Sequence, residues 1–166
     1  MKKKIILLAV VILIGIAGAA FIFTGKNPAP AVTFTSLTGE KISMAGLKGK
    51  VVLVNFWATS CPGCIEEMPK LVDTYKNYHS QGYETVAVAM NYDPPNYVLA
   101  YSHANNLPFV VSIDAQGNLS HAFGDVRLTP TSFLIDRQGN IIQRTIGELD
   151  MDRLHKTIEE QLKKSS

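Results

Sequence analysis

The two cysteines of the chain, Cys61 and Cys64, are three positions apart, where an apolar run gives way to a helical pattern. A structural disulfide gains most of its stabilising effect by closing a long loop, and this pair would close one of the shortest. At a helix start, Cys61 would lie beside unpaired backbone N–H groups and the positive end of the dipole, which favour a thiolate. The pair therefore predicts thiol exchange, with Cys61 as the nucleophile and Cys64 as the resolving thiol.

Metal binding and two inert cysteines are the alternatives for this pair. A structural zinc site needs about four ligands, and one Cys-x-x-Cys supplies only two. There is no second cysteine pair, and the four histidines are scattered along the chain at positions 79, 103, 121 and 155. We therefore expect no metal site.

The composition argues against a nucleic-acid partner and against a bound redox cofactor. The formal net charge is +2, from 16 Lys and Arg against 14 Asp and Glu, and three of the cations are Lys2, Lys3 and Lys4. Without them no basic stripe remains for nucleic acid. No G-x-G-x-x-G follows a predicted strand, and no NADPH or flavin motif is present. Electrons must therefore arrive by thiol exchange with another protein.

An uncharged, mostly apolar stretch spans residues 5–23, directly after the three lysines. About 20 such residues can cross a bilayer as a helix, and the lysines would stay on the cytoplasmic side. We predict a retained single-pass anchor at residues 1–25, a proline-containing linker at 26–31 and one domain at 32–166 outside the cytoplasm. A cleaved signal peptide is the alternative, because small-x-small triplets follow the lysines.

Periodicity predicts an α/β domain. Residues 51–57 and 85–90 resemble buried strands, residues 62–79 and 96–105 follow helical spacing, and Asp150 is placed to cap a closing helix. Further strands are expected at 109–113, 131–136 and 141–146, and an opening hairpin at 32–43. The alternation predicts a mostly parallel sheet with helices on both faces and an antiparallel terminal hairpin.

Several features together resemble the thioredoxin superfamily, and within it the membrane-anchored TlpA/ResA-like reductases of bacteria, over residues 32–162. The segment F-W-A-T-S-C-P-G-C is similar to the family's active-site strand and turn, with Trp57 in its usual place. Pro69 falls where the active-site helix of this family is kinked. Residues 127–136 resemble the segment that carries the family's cis-proline, here Pro130. The resemblance implies a thioredoxin-like fold, with Pro62 and Gly63 in the active-site turn.

The resemblance also implies roles for residues around the cysteines. A cis peptide before Pro130 would leave the backbone of Thr129 free to pair with an extended substrate. Trp57 has two alternatives, to line the docking surface or to fill the core. The loop at residues 93–96 resembles the start of the family's central insertion, which shapes the substrate groove.

One departure from cytoplasmic thioredoxin concerns proton transfer. The buried acid six residues before the first cysteine is replaced by Asn55, which cannot exchange a proton. Glu67 lies three residues after Cys64, on the same helical face, and the TlpA/ResA-like family often has a glutamate there. We expect Glu67 to exchange a proton with the thiol, whereas the alternative is that Glu66 and Glu67 are solvated charges near a helix start.

The favoured function is reduction of protein disulfides outside the cytoplasmic membrane. Reduction is favoured over oxidation because Pro62 and Gly63 place no cation between the cysteines, and strong oxidants need such a charge to stabilise their thiolate. The resemblance implies a membrane thiol transporter as electron donor and apocytochrome c as one common client. A copper-delivery module is an alternative, although its spacing is Cys-x-x-x-Cys with a distant His. A peroxiredoxin-type peroxidase needs Thr and Pro where Ala58 and Val54 stand.

Overall fold

A five-stranded sheet organises the chain in the computed structural model, which describes residues 27–164. A two-stranded hairpin precedes this sheet. The strands are β1 (Thr33–Thr35), β2 (Lys41–Ser43), β3 (Val51–Trp57), β4 (Tyr83–Ala89), β5 (Val110–Ile113), β6 (Thr131–Ile135) and β7 (Ile141–Ile146). The helices are α1 (Pro62–Tyr78), α2 (Pro95–Ala104), α3 (Asn118–Ala122) and α4 (Met151–Lys163), with short 3-10 turns at Met44–Leu47 and His79–Gln81.

The strand order of the large sheet is β5-β4-β3-β6-β7. β3 pairs in parallel with β4, and β4 with β5, whereas β6 is antiparallel to both β3 and β7. The sheet is therefore mixed: β3, β4, β5 and β7 run in one direction, and β6 runs against them in the expected antiparallel terminal hairpin. After β5, the five-residue α3 is too short to carry the chain back to the opposite end of the sheet. Strand β6 therefore starts at the end where β5 finishes, and it runs antiparallel to β3.

Both faces of the sheet are covered, because β3, β4 and β6 are buried at every position. On one face Leu53 and Trp57 pack with residues of the three longer helices, such as Met68, Val98 and Ile158. On the other face a second cluster joins the strands to the opening hairpin, the first 3-10 turn and the short α3. Asn55 has the same parity along β3 as Leu53 and Trp57, so its side chain points to the face that carries α1.

Helices α1 and α4 begin as the sequence predicts. Pro62 stands in the first turn of α1, where a missing N–H costs nothing, and Pro69 lies inside the helix. The side chain of Asp150 caps α4 by accepting a hydrogen bond from the backbone N–H of Arg153. The short α3 has no counterpart in the sequence prediction, because five residues are too few to show a helical period.

The first described residues form backbone contacts with the β6–β7 turn. The N–H of Ala29 donates to the carbonyl of Gly139 at 2.9 Å, and the N–H of Ile141 donates to the carbonyl of Asn27 at 2.7 Å. Residues 27–29 are therefore tied to the β6–β7 turn. The predicted anchor at residues 1–25 lies outside the described residues, and within residues 27–164 no helix is long and apolar enough to span a bilayer.

Candidate active site

The start of α1 places the two cysteines in different environments. Cys61 is the N-cap residue, its Sγ accepts a hydrogen bond from the backbone N–H of Cys64 at 3.2 Å, and a disulfide joins the two sulfur atoms. Cys61 is half-buried, whereas the side chain of Cys64 is buried. An N–H donor and the helix dipole both stabilise a thiolate at Cys61 once the disulfide is reduced. The geometry suits a reachable nucleophile and a covered resolving thiol.

Asp93 holds the loop between β3 and the cysteines. Its carboxylate is 2% exposed and accepts hydrogen bonds from the backbone N–H of Thr59 at 2.7 Å and from the Thr59 hydroxyl at 2.5 Å. The sequence predicts only that Asp93 starts a groove-shaping loop, so this contact is a further role that sequence reasoning missed. The position of Asp93 after β4 could have predicted this contact. Strands β3 and β4 are parallel neighbours, so the segments that follow them lie at the same edge of the sheet.

Glu67 is buried on the inner face of α1, with 2% of its surface exposed. Its Oε1 accepts a hydrogen bond from the N–H of Leu149 at 2.6 Å, and its Oε2 accepts one from Nδ2 of Asn55 at 3.3 Å. Burial raises the pKa of this carboxyl above its usual 4.5, and the hydrogen bond from Leu149 opposes that rise. The position excludes the alternative of a solvated charge for Glu67, whereas Glu66 is exposed.

The segment from Gly147 to Leu149 contacts three parts of the site. The N–H of Gly147 donates to the carbonyl of Pro130 at 2.8 Å, and the N–H of Leu149 donates to Glu67. Between them, Oε1 of Glu148 lies 3.0 Å from where a Cβ on Gly63 would be. The negative charge of Glu148 also raises the pKa of Glu67. No pattern in the sequence marks this segment.

The peptide between Thr129 and Pro130 is cis, as the resemblance implied. Pro130 is buried and Thr129 is half-buried. The hydroxyl of Thr129 lies 3.2 Å from that of Tyr92, whose ring is exposed. The carbonyl of Pro130 is bonded to Gly147, so the cis-proline loop and Glu67 are connected through residues 147–149.

Trp57 lies in the core and has no exposed surface. Its ring packs 5.4 Å from that of Tyr101, and its Nε1 has no hydrogen-bond partner among the described residues. A ring that lines a docking surface must reach solvent, so the substrate-contact interpretation of Trp57 is wrong for this conformation. The packing of Trp57 in β3 against Tyr101 in α2 explains why the indole ring lies in the core.

The described part of the chain does not meet the requirements of a metal site. Within residues 27–164, no group of three or more His, Cys, Asp or Glu side chains is arranged to hold a metal ion. Both sulfur atoms belong to the disulfide. The cysteine pair offers sulfur exchange, and Glu67 offers carboxyl proton transfer.

Comparison with known proteins agrees with this chemistry. The model of the Redoxin family matches residues 24–162. The thiol-disulfide oxidoreductase ResA of Bacillus thuringiensis is 37% identical over 99% of this chain and 98% of its own length. The ResA of Bacillus subtilis is 32% identical over 90% of this chain and 86% of its own length.

Solved structures show the same architecture. A thiol:disulfide interchange protein of the thioredoxin family from Chlorobium tepidum aligns with a TM-score of 0.75 at 31% identity, covering 82% of this chain and 97% of that one. StoA from Bacillus subtilis aligns with a TM-score of 0.67 at 27% identity, covering 77% of this chain and 96% of that one. The fold of the described residues is thus thioredoxin-like.

Proposed function

Because the chain belongs to the Redoxin family and is a ResA-like thiol-disulfide oxidoreductase, we propose that it reduces protein disulfides on the extracytoplasmic side of a bacterial cytoplasmic membrane. The observation that carries this proposal is the pairing of a half-buried Cys61 at a helix N-terminus with a buried Cys64. The first sulfur can meet a substrate, and the second is protected until the mixed disulfide has formed.

The exchange has two steps that balance in sulfur and electrons. The Cys61 thiolate attacks one sulfur of the substrate disulfide, forming a mixed disulfide and releasing the other substrate sulfur as a thiolate. Cys64 then attacks the Sγ of Cys61, which forms the Cys61–Cys64 disulfide and releases the second substrate sulfur. Two electrons pass from the cysteine pair to the substrate.

Glu67 is the proposed proton acceptor for Cys64. The resolving thiol must lose its proton to attack, and Glu67 lies on the same helix three residues away. Burial keeps the pKa of Glu67 above its usual value, so its carboxyl can exchange a proton closer to neutral pH than an exposed glutamate could.

The docking surface is proposed to include Thr129 and Pro130, beside the active-site turn of Pro62 and Gly63. An extended client segment would pair with the backbone of Thr129 in the manner of an added strand. The half-buried position of Thr129 is compatible with this contact. The buried Pro130 lies beneath the surface of the same loop and fixes its conformation.

The direction of exchange and the partners are part of the proposal. The turn residues Pro62 and Gly63 bring no cation to the cysteines, which supports a reductant rather than a strong oxidant. Because no redox cofactor motif is present, a membrane thiol transporter would restore the dithiol. Apocytochrome c, with its Cys-x-x-Cys-His motif, is a client that fits this role in cytochrome c maturation. The single-pass anchor at residues 1–25 would hold the domain at the membrane.

Trapping with the full chain in cells tests the proposal. In Cys64→Ala, mixed disulfides on Cys61 should accumulate, because no second thiol can release the substrate. Adducts should be absent from Cys61→Ala, which is the matched control. Mass spectrometry of the adducts identifies the clients and shows whether apocytochrome c is among them. Equal adduct levels in the two variants, or none in Cys64→Ala, would overturn the mechanism.

A further inference from the structure

The chain enters the domain at the end of the sheet opposite the cysteines. Asn27 and Ala29 bond to the β6–β7 turn, through the N–H of Ile141 and the carbonyl of Gly139. In β6, Ile135 pairs with Val52 at the start of β3, and Cys61 follows the other end of that strand. Seven residues of β3 separate the two ends by about 20 Å.

A cationic surface surrounds this point of entry. Nε of Arg137 donates to the carbonyl of Gly49 at 2.8 Å, and its Nη1 donates to the carbonyl of Lys164 at 2.8 Å. The side chain of Lys48 lies 3.6 Å from where a Cβ on Gly139 would be. We call this surface, formed by residues 48–50, 136–140 and 163–164, the basal face.

The basal face carries an excess of positive charge. Its cations are Lys48, Lys50, Arg137, Lys163 and Lys164, and the acidic residues within it or at its border in the described chain are Asp136, Glu84 and Glu159. Oδ1 of Asp136 is engaged with the backbone N–H groups of the turn. Lys50 forms an ion pair with Glu84 at 3.0 Å, whereas the side chains of Lys48, Lys163 and Lys164 are exposed.

The active-site end of the domain carries charges of both signs, with the exposed cations Lys70, Arg127 and Arg153 among its carboxylates. Exposed carboxylates occur at Glu66 beside the cysteines, at Glu148 against the active-site turn, and at Asp150 and Asp152 where α4 begins. A negatively charged surface would therefore attract the basal face more strongly than the active-site end.

Chain length fixes how far the basal face can be from the apolar segment. Only three residues separate Phe23 from Asn27, and four Cα steps span at most about 14 Å. If residues 5–23 cross the bilayer, Asn27 must lie within the headgroup region or directly above it. The basal face is then the part of the domain nearest the lipid.

We propose that the basal face docks on an anionic lipid surface and turns the Cys61–Cys64 site away from the bilayer. This inference depends on the membrane attachment proposed above. The docked domain presents its active site about 20 Å or more from the lipid, where extracytoplasmic clients can approach it.

The test uses the full chain in nanodiscs that contain about one quarter phosphatidylglycerol in phosphatidylcholine and a trace of lipid with a nitroxide headgroup. Paramagnetic broadening of backbone amide signals then reports which residues lie near the lipid. We expect the strongest broadening at Gly49 and Gly139 and the weakest at Gly63. The difference should shrink about twofold or more in pure phosphatidylcholine or at about 0.5 M salt.

Charge variants separate docking from simple tethering. The triple variant Lys48→Gln, Lys163→Gln and Lys164→Gln should reduce the broadening at Gly139 about twofold or more. The control removes three cations elsewhere, through Arg127→Gln, Arg153→Gln and Lys156→Gln, and should leave the broadening at Gly139 unchanged.

Two contrary outcomes differ in what they overturn. If the full chain does not co-elute with nanodiscs, the membrane attachment itself is wrong, and the docking fails with it. If the chain co-elutes but Gly63 broadens as strongly as Gly139, or both triple variants behave alike, the attachment stands and the docked orientation is wrong.

Discussion

The backbone N–H of Leu149 donates a hydrogen bond to Oε1 of Glu67 at 2.6 Å, across 82 positions of sequence. This contact ties the active-site helix α1 to the start of α4. It also supplies a fixed donor to a carboxyl that has almost no access to water. A backbone donor cannot swing away as a side chain can, so Glu67 is held in one place while its proton comes and goes.

Replacing Glu67 with Gln should slow the resolution step. Gln can still accept the hydrogen bond from Leu149, but it cannot take a proton from Cys64. General acid–base catalysis commonly contributes on the order of 100-fold or more, and we expect a loss of about tenfold or more in disulfide reduction near pH 7. Stopped-flow reduction of a model protein disulfide measures this rate. Glu66→Gln removes an exposed neighbouring charge and should stay within about twofold of the wild type, whereas equal loss in both variants would refute the role of Glu67.

The same carboxyl should make stability depend on pH. Because the pKa of Glu67 is raised above 4.5 in the folded chain, the unfolded chain loses this proton first as the pH increases. The stabilising effect of the protonated form is complete below pH 4.5 and is lost as the pH rises through the folded-state pKa. The free energy of unfolding of the disulfide form should therefore fall over that window, and the fall should be smaller in Glu67→Gln. Parallel pH profiles of the two proteins in denaturant titrations would contradict this.

Removing the charge of Glu148 should lower the pKa of Glu67. The two carboxylates repel each other, so Glu148→Gln should shift the Glu67 titration to lower pH, as followed by carbon NMR of the carboxyl. Gly63→Ala should shift the titration in the same direction, because its Cβ would displace the Glu148 carboxylate. In the Glu148→Gln background, Gly63→Ala should add nothing. Additive shifts would show that Gly63 and Glu148 act separately.

Local patterns predict the parts of the fold that depend on short-range periodicity. The buried runs that form β3 and β4 and the apolar spacing of α1 are visible in the sequence because burial on one or both faces imposes a period. The direction of β6 is not visible there, because it depends on which end of the sheet the chain reaches after β5. The attachment of residues 27–29 to the β6–β7 turn is not predicted for a similar reason, since prolines suggest an extended segment but not what it contacts.

The residues of the candidate site also differ in whether local sequence patterns predict them. Cys61, Cys64 and Glu67 occur on one short helical stretch, so their spacing alone brings them together. Asp93 and Glu148 reach the site from distant segments, and no local pattern carries that information. The place of Trp57 in the motif fixes its position along β3 but not whether its ring reaches solvent.

Loss of the Asp93 carboxylate should loosen the loop before Cys61. Asp93→Ala removes two acceptors from Thr59, at a cost of about 1–3 kcal/mol in the free energy of unfolding. Thr59→Val removes only the hydroxyl donor and should be destabilised less than Asp93→Ala. Thr59→Ser keeps the hydroxyl and should retain most of the stability. Because both groups belong to one contact, the double variant Asp93→Ala, Thr59→Val should be less destabilised than the sum of the single ones. Strict additivity in denaturant titrations would exclude the coupling.

A carboxyl in place of Asn55 should repel Glu67. Nδ2 of Asn55 donates to Oε2 of Glu67 and to the hydroxyl of Ser132, and Asn55→Asp replaces this donor with a second buried acid. Near pH 5 the pair can share protons, but near pH 8 both groups would have to ionise side by side. We expect Asn55→Asp to lose about 2 kcal/mol more stability at the higher pH than at the lower one.

The matched rescue for Asn55→Asp is the addition of Glu67→Gln, which returns one amide donor and one carboxylate to the pair in exchanged positions. The double variant should recover most of the stability at pH 8. The amide introduced at position 67 can donate to the carboxylate introduced at position 55, while its oxygen still accepts from Leu149. Disulfide reduction by the double variant should nevertheless differ from the wild type in pH dependence, since the acid now lies on β3 rather than on α1. If the double variant is no more stable at pH 8 than Asn55→Asp alone, charge repulsion is not the cause of the loss.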